Sequence, residues 1–154
     1  DLSAYLLSLN AGYKASEKVS LGIGFEVQSG NNYDDNASEN NAFTPFYGTN
    51  HKFNGFMDYF YVGNHANSVG LIDVYAKISS KLGEKSSLTA FLHNFSAQGE
   101  IAPGIEKQLG TELDLVYAHK LNNDVSIGAG YSQLFAAEGL EVLKNKITKL
   151  KKSL

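Results

Sequence analysis

The residues able to do chemistry fall into two sets. The first is a row of ionisable side chains carried by strand-like segments: Glu26, Asp73, Lys77, Glu112, Asp114 and Lys120, with Lys14. On one face of a sheet such groups either pair across strands and fix its geometry, or set the sign of the field that a passing solute meets. The second is a stretch of rings in residues 43–61. Phe46, Tyr47, Phe53, Phe56, Tyr59 and Tyr61, with Phe43 and Phe60, make eight aromatics in nineteen residues. Rings at that density stack on sugars as a ligand-contact loop, or close on one another as a small satellite core.

Other chemistries are excluded or unsupported. The chain has no Cys, so disulfides and Cys-ligated zinc or iron–sulfur sites are ruled out. His51, Asp58 and His65 stand seven residues apart and match no metal-ligand spacing. Asp34, Asp35 and Glu39 are acidic without the alternating spacing of a calcium loop, so a solvated loop is expected. No Ser/His/Asp grouping, phosphate-binding glycine loop or carboxylate pair reads as catalytic, so no enzyme, metal or cofactor is expected. All thirteen basic residues are lysine and the net charge is −3, which argues against a nucleic-acid surface. No apolar run reaches the ~18 residues of a membrane helix.

The elements that must position these residues are strands. Six segments alternate with a period of two: residues 3–13, 19–28, 70–79, 87–96, 109–120 and 125–135. The clearest places Val19, Leu21, Ile23, Phe25 and Val27 on one face against Ser20, Gly22, Gly24, Glu26 and Gln28 on the other. Connections alternate too: short turns at 15–18, 80–86 and 121–124, long links at 29–69 and 97–108.

Short turns on one side and long loops on the other, joined by strands of about ten residues, form the pattern of an antiparallel transmembrane β-barrel. Glycines on the polar face, and Tyr13 and Tyr117 on the apolar face near the short turns, fit the same reading. Residues 1–136 are therefore expected to be a barrel segment of about six strands, with loop 29–69 external and Glu26, Asp73, Lys77, Glu112, Asp114 and Lys120 lining the pore. Six strands with the short turns periplasmic would begin and end outside, so the segment reads as an interior part of a larger barrel, its edges completed by further strands or a partner. The competing eight-stranded barrel draws two extra strands from residues 43–62. A soluble or surface β-sheet carbohydrate-binding module, using the aromatic loop, is the alternative from another class.

Residues 41–64 (NAFTPFYGTNHKFNGFMDYFYVGN), with LGTELDLVY at 109–117 and DVSIGAGYSQLF at 124–135, resemble the alginate export family of outer-membrane β-barrels. The resemblance covers residues 1–136 and implies a pore of about eighteen strands, of which this chain supplies about a third. It also implies localisation in the cell outer membrane, contact with outer-membrane lipid, and passive passage of an anionic polysaccharide. The family's arginine-rich constriction has no counterpart here: the polar-face charges are four acids against three lysines.

Residues 137–154 change character. Leu140, Leu143, Ile147, Leu150 and Leu154 recur at spacings of three and four among five lysines, a basic amphipathic helix of net charge +3. The remaining residues carry eight lysines and fourteen acids, net −6.

Overall fold

A computed structural model of the chain describes residues 1–36, 38–45, 53–60, 62–65 and 67–152. The six alternating segments form β1 (Leu6–Lys14), β2 (Val19–Gln28), β3 (Leu71–Lys81), β4 (Ser86–Ser96), β5 (Gln108–Lys120) and β6 (Ser126–Ala136). They make one antiparallel sheet in sequence order, each strand beside its chain neighbours. The turns carry their own chemistry. Ser16 Oγ accepts from the amides of Lys18 and Val19, and Asn122 Oδ1 accepts from those of Asp124 and Val125.

β1 starts three residues later than its periodicity suggests. Its leading residues bind the long loop instead: the Ser3 amide donates to the Asn40 carbonyl, and the Tyr5 amide to Ser29 Oγ. No strand lies among the described residues of 43–62. Residues 53–60 form turns and bends, followed by a short helix, α1 (Val62–His65), and residues 46–52, where an extra strand of an eight-stranded barrel could be drawn, lie outside the described residues. Among the described residues β1 and β6 each pair on one side only, and the sheet is open.

The register keeps each face uniform. Ile23 lies opposite Ala76, and Leu92 opposite Leu113, on the apolar face; Glu26 lies opposite Asp73, and His93 opposite Glu112, on the polar face. The apolar face is open among the described residues: Leu9, Ile23, Val74, Leu92, Tyr131 and Phe135 are all exposed, Ile23 by 66%.

The packed core lies at the long-connection end of the sheet. Phe60, Val69, Leu71, Phe95, Ala97, Ile101 and Leu109 meet Leu140 and Leu143 there. Leu140 and Leu143 come from α2 (Glu138–Lys152), the helix expected from the tail's spacing. A bulge supplies Leu109. Phe95 pairs with Gly110 and Ser96 with Gln108, so Leu109 is the extra residue, and it is fully buried in the core. No helix among the described residues is long and apolar enough to cross a membrane.

Candidate functional site

The polar face is half covered. Residues 53–60 fold back onto the long-connection half of β3, β4 and β5, and the groups they cover form one polar cluster. Its centre is His93, whose Nδ1 donates to Asp73 at 2.9 and 3.0 Å from the two carboxylate oxygens. The other ring nitrogen, Nε2, stands 4.0 Å from Asp114 Oδ2. Asp73, His93, Glu112 and Asp114 are all buried.

Side-chain bonds hold the covering segment to the sheet. Asn54 Nδ2 donates to Glu26 Oε1 at 3.1 Å and to Asp73 Oδ2 at 3.2 Å. Gln28 Nε2 bridges Glu26 and the Asn54 amide oxygen at 2.8 and 3.1 Å. The turn that follows wraps a carboxylate: the Met57 amide donates to Glu112 Oε1 at 2.9 Å, and the Phe56 amide is turned to the same group. Gly55 permits the approach. Its φ is +79°, and a Cβ there would fall on the Glu112 carboxylate. Successive backbone amides curled about an anion are a nest, and amide bonds to a charged acceptor contribute about 1.5–3 kcal/mol each.

Rings wall the cluster. Phe91, His93 and Phe95 alternate along β4 and stack on one face, with centroids 5.9 and 5.4 Å apart. Phe56 packs on Phe91 at 5.6 Å, and Phe60 on Phe95 at 4.5 Å. Tyr75 lies 5.2 Å from the His93 ring. The nearest lysine, Lys77, sits over the Phe91 ring at 5.0 Å, with its side chain exposed.

All six ionisable residues singled out in the sequence share this face, but they do not share an environment. Asp73, Glu112 and Asp114 lie under the loop, Glu26 at its margin is half-buried, and Lys77 and Lys120 are exposed. Of the aromatic set, Phe46, Tyr47 and Tyr61 lie outside the described residues. Tyr59 packs beside Phe60 against the core, Phe56 is half-buried on Phe91, and Phe53 is exposed. His93, Asn54, Gln28 and Gly55 were not singled out by sequence reasoning. His93 had a signal, since a histidine between two phenylalanines on an otherwise polar face marks a covered position; the loop residues had none.

A second histidine closes the core. His65 Nε2 donates to the Gly70 carbonyl at 2.8 Å and its ring meets Phe60 edge-on. Burial pushes its pKa down to about 4, partly opposed by the Gly70 bond and reinforced by the nearby charge of Lys144. Lys144 of α2 donates to the carbonyls of Tyr59 and Asn64 at 3.4 and 3.3 Å, tying the helix to the covering loop. Burial lowers its pKa as well. In the outer loop the Asn32 amide and side chain donate to Asp35 and hold its carboxyl below the usual range. His51 lies outside the described residues, and among those described no three His, Asp or Glu side chains are grouped to hold a metal ion.

Comparison with models of known protein families and with curated proteins finds no match.

Proposed function

We propose that this chain is part of the wall of an outer-membrane β-barrel pore, its apolar face against lipid and its polar face toward a lumen narrowed by residues 53–60. One observation carries the reading: all six strands carry exposed large apolar residues on one face, while the buried polar cluster occupies the opposite face. In a water-soluble sheet the apolar face is the one that packs. Here exposed apolar residues run across all six strands, whereas monomeric soluble proteins rarely expose a contiguous apolar patch of more than a few hundred Å². Strands of 9 to 13 residues are long enough to cross a hydrocarbon layer when tilted.

The cargo in this reading is a polar, anionic solute, the anionic polysaccharide implied by the resemblance included. The acids of the polar face are covered or half-covered, whereas Lys14, Lys77, Lys81 and Lys120 are exposed. The field met by a solute beside the short turns is therefore weighted toward positive, and selectivity follows the sign of the exposed charge.

Two measurements test this. The chain is expected in the membrane fraction, released by detergent, and a monodisperse, detergent-free monomer in water would overturn the membrane assignment. The complete pore in planar bilayers is expected to conduct, with current reduced by added polyuronate. Conductance indifferent to polyuronate would remove the cargo and leave the pore.

A further inference from the structure

Glu112 and Asp114 stand two residues apart on one face of β5, and both are fully buried. Their carboxyls hydrogen-bond each other. Two ionised carboxylates offer only acceptors, so that bond requires a proton on one of the pair. Like charges so close together, in a site closed to water, do not both ionise. The pair therefore holds one proton in the closed structure, whichever carboxyl carries it.

Among the described residues no neighbouring cation is placed to take over from that proton. In the register His93 of β4 lies opposite Glu112, and Phe91 opposite Asp114. His93 commits Nδ1 to Asp73 of β3, keeps Nε2 4.0 Å from Asp114, and has the Tyr75 ring beside it. Glu26 of β2 is a further acid, bonded to Asn54 and Gln28. β6 sets Leu134 and Ser132 opposite the pair, and neither is charged. Lys77 of β3 rests over the Phe91 ring, and Lys144 of α2 is bonded at the far end of the loop, to Tyr59 and Asn64. Residues 53–57 of the cover carry no charged side chain, and the next residue, Asp58, is an acid. The turn does supply the amides of Phe56 and Met57, both to Glu112. They compensate one carboxylate and leave the other.

We propose that the Glu112–Asp114 pair is a proton latch on the covering turn: with one proton between the carboxyls the turn lies closed on β5, and without it the turn lifts. Loss of the proton leaves two negative charges side by side where water does not reach, a state that is strongly disfavoured until water is readmitted. The turn at Gly55–Met57 lies directly against the Glu112 carboxylate, so it is the element that must move to let water in. The latch needs only the turn and β5, and it is independent of the medium against the apolar face.

The chain has no cysteine, so a nitroxide on Met57→Cys, at an exposed side chain, reports on the turn alone. In the detergent-solubilised chain its electron paramagnetic resonance spectrum is expected to pass from immobilised to mobile between about pH 5 and about pH 10. The change should be a single-proton step, from about a tenth to nine-tenths mobile over about two pH units. The infrared band of the protonated carboxyl should disappear over the same interval. Glu112→Gln keeps a donor toward Asp114 without a titrating proton, so its label should stay immobilised throughout. Asp114→Asn should behave alike, and takes its place if Glu112→Gln loses its strand circular dichroism. A label whose mobility does not change with pH, or a transition that survives in either variant, overturns the proposal. So does a transition abolished by His93→Gln while the carboxyl band still titrates, because the imidazole is then the switch.

Discussion

His93 joins β4 to Asp73 of β3 through a two-oxygen contact at 2.9 and 3.0 Å, and the same ring turns its far nitrogen toward Asp114 of β5. One imidazole therefore stitches three strands on the face that the loop covers. Removing one partner of a buried hydrogen bond leaves the other unsatisfied, at a cost of about 1–3 kcal/mol. Asp73→Ala is expected to destabilise by that amount in chemical unfolding. A double-mutant cycle with His93→Ala should recover about 0.5–3 kcal/mol as coupling. Strict additivity of the two variants would show that the contact does not hold.

The turn over Glu112 depends on a residue without a Cβ. Gly55→Ala forces a left-handed backbone onto alanine and pushes a methyl group at the carboxylate, at a cost of about 1–3 kcal/mol. The loss should be local: faster amide exchange and protease cleavage in 53–57, with the strand amides of β1 and β2 unchanged. Glu112→Gln keeps an oxygen acceptor for the Met57 amide and should loosen the turn less than Glu112→Ala.

His65 gives the core at the long-connection end a pH dependence of definite sign. Its pKa is depressed to about 4 in the fold from 6.5, so below about 6.5 the unfolded chain takes up a proton that the folded chain refuses. Its contribution to stability is full above about 6.5, declines as pH falls, and is exhausted near 4. The total is on the order of 3 kcal/mol, at 1.4 kcal/mol per pKa unit. His65→Gln should flatten that part of the stability-against-pH profile; an unchanged slope would assign it to another group.

The apolar face separates lipid from water as its surroundings. Ile23 is 66% exposed at the middle of β2. Ile23→Lys should cost about 2–4 kcal/mol in a bilayer if this position lies near the midplane. In water the same change at an exposed site costs within about 0.5 kcal/mol. Folding measured in lipid vesicles and read against detergent-free buffer distinguishes the two.

The sheet was legible because strand periodicity is local: Val19 to Val27 alternates on its own, whatever lies across from it. Helix α2 was legible for the same reason, through the spacing of Leu140 and Leu143. The covering of Asp73, Glu112 and Asp114 was not. Alternation assigns a residue to a face and is silent on what lies over that face, and the contact of Gly55 with Glu112 spans 57 positions of sequence. The bulge at Leu109 was hidden as well, since one extra residue reverses the face of a single side chain and leaves the strand pattern on either side intact. Residues 53–60 lie over part of the polar face, with Phe56 on Phe91 and Asn54 bonded to Asp73.

The meander order has a consequence for how the molecule is made. Each strand pairs only with its neighbour in the chain, and three of the five connections are short turns, so the sheet can grow hairpin by hairpin from local contacts. The turn at 55–57 cannot close in that sequence. Asn54 has its partners on β2 and β3, but the anchor of the turn, Glu112, belongs to β5. The turn closes only once the fifth strand is seated. Assembly thus runs in two stages, a wall first and then its inner covering, and the covering arrives on a surface whose carboxylates have already been brought together.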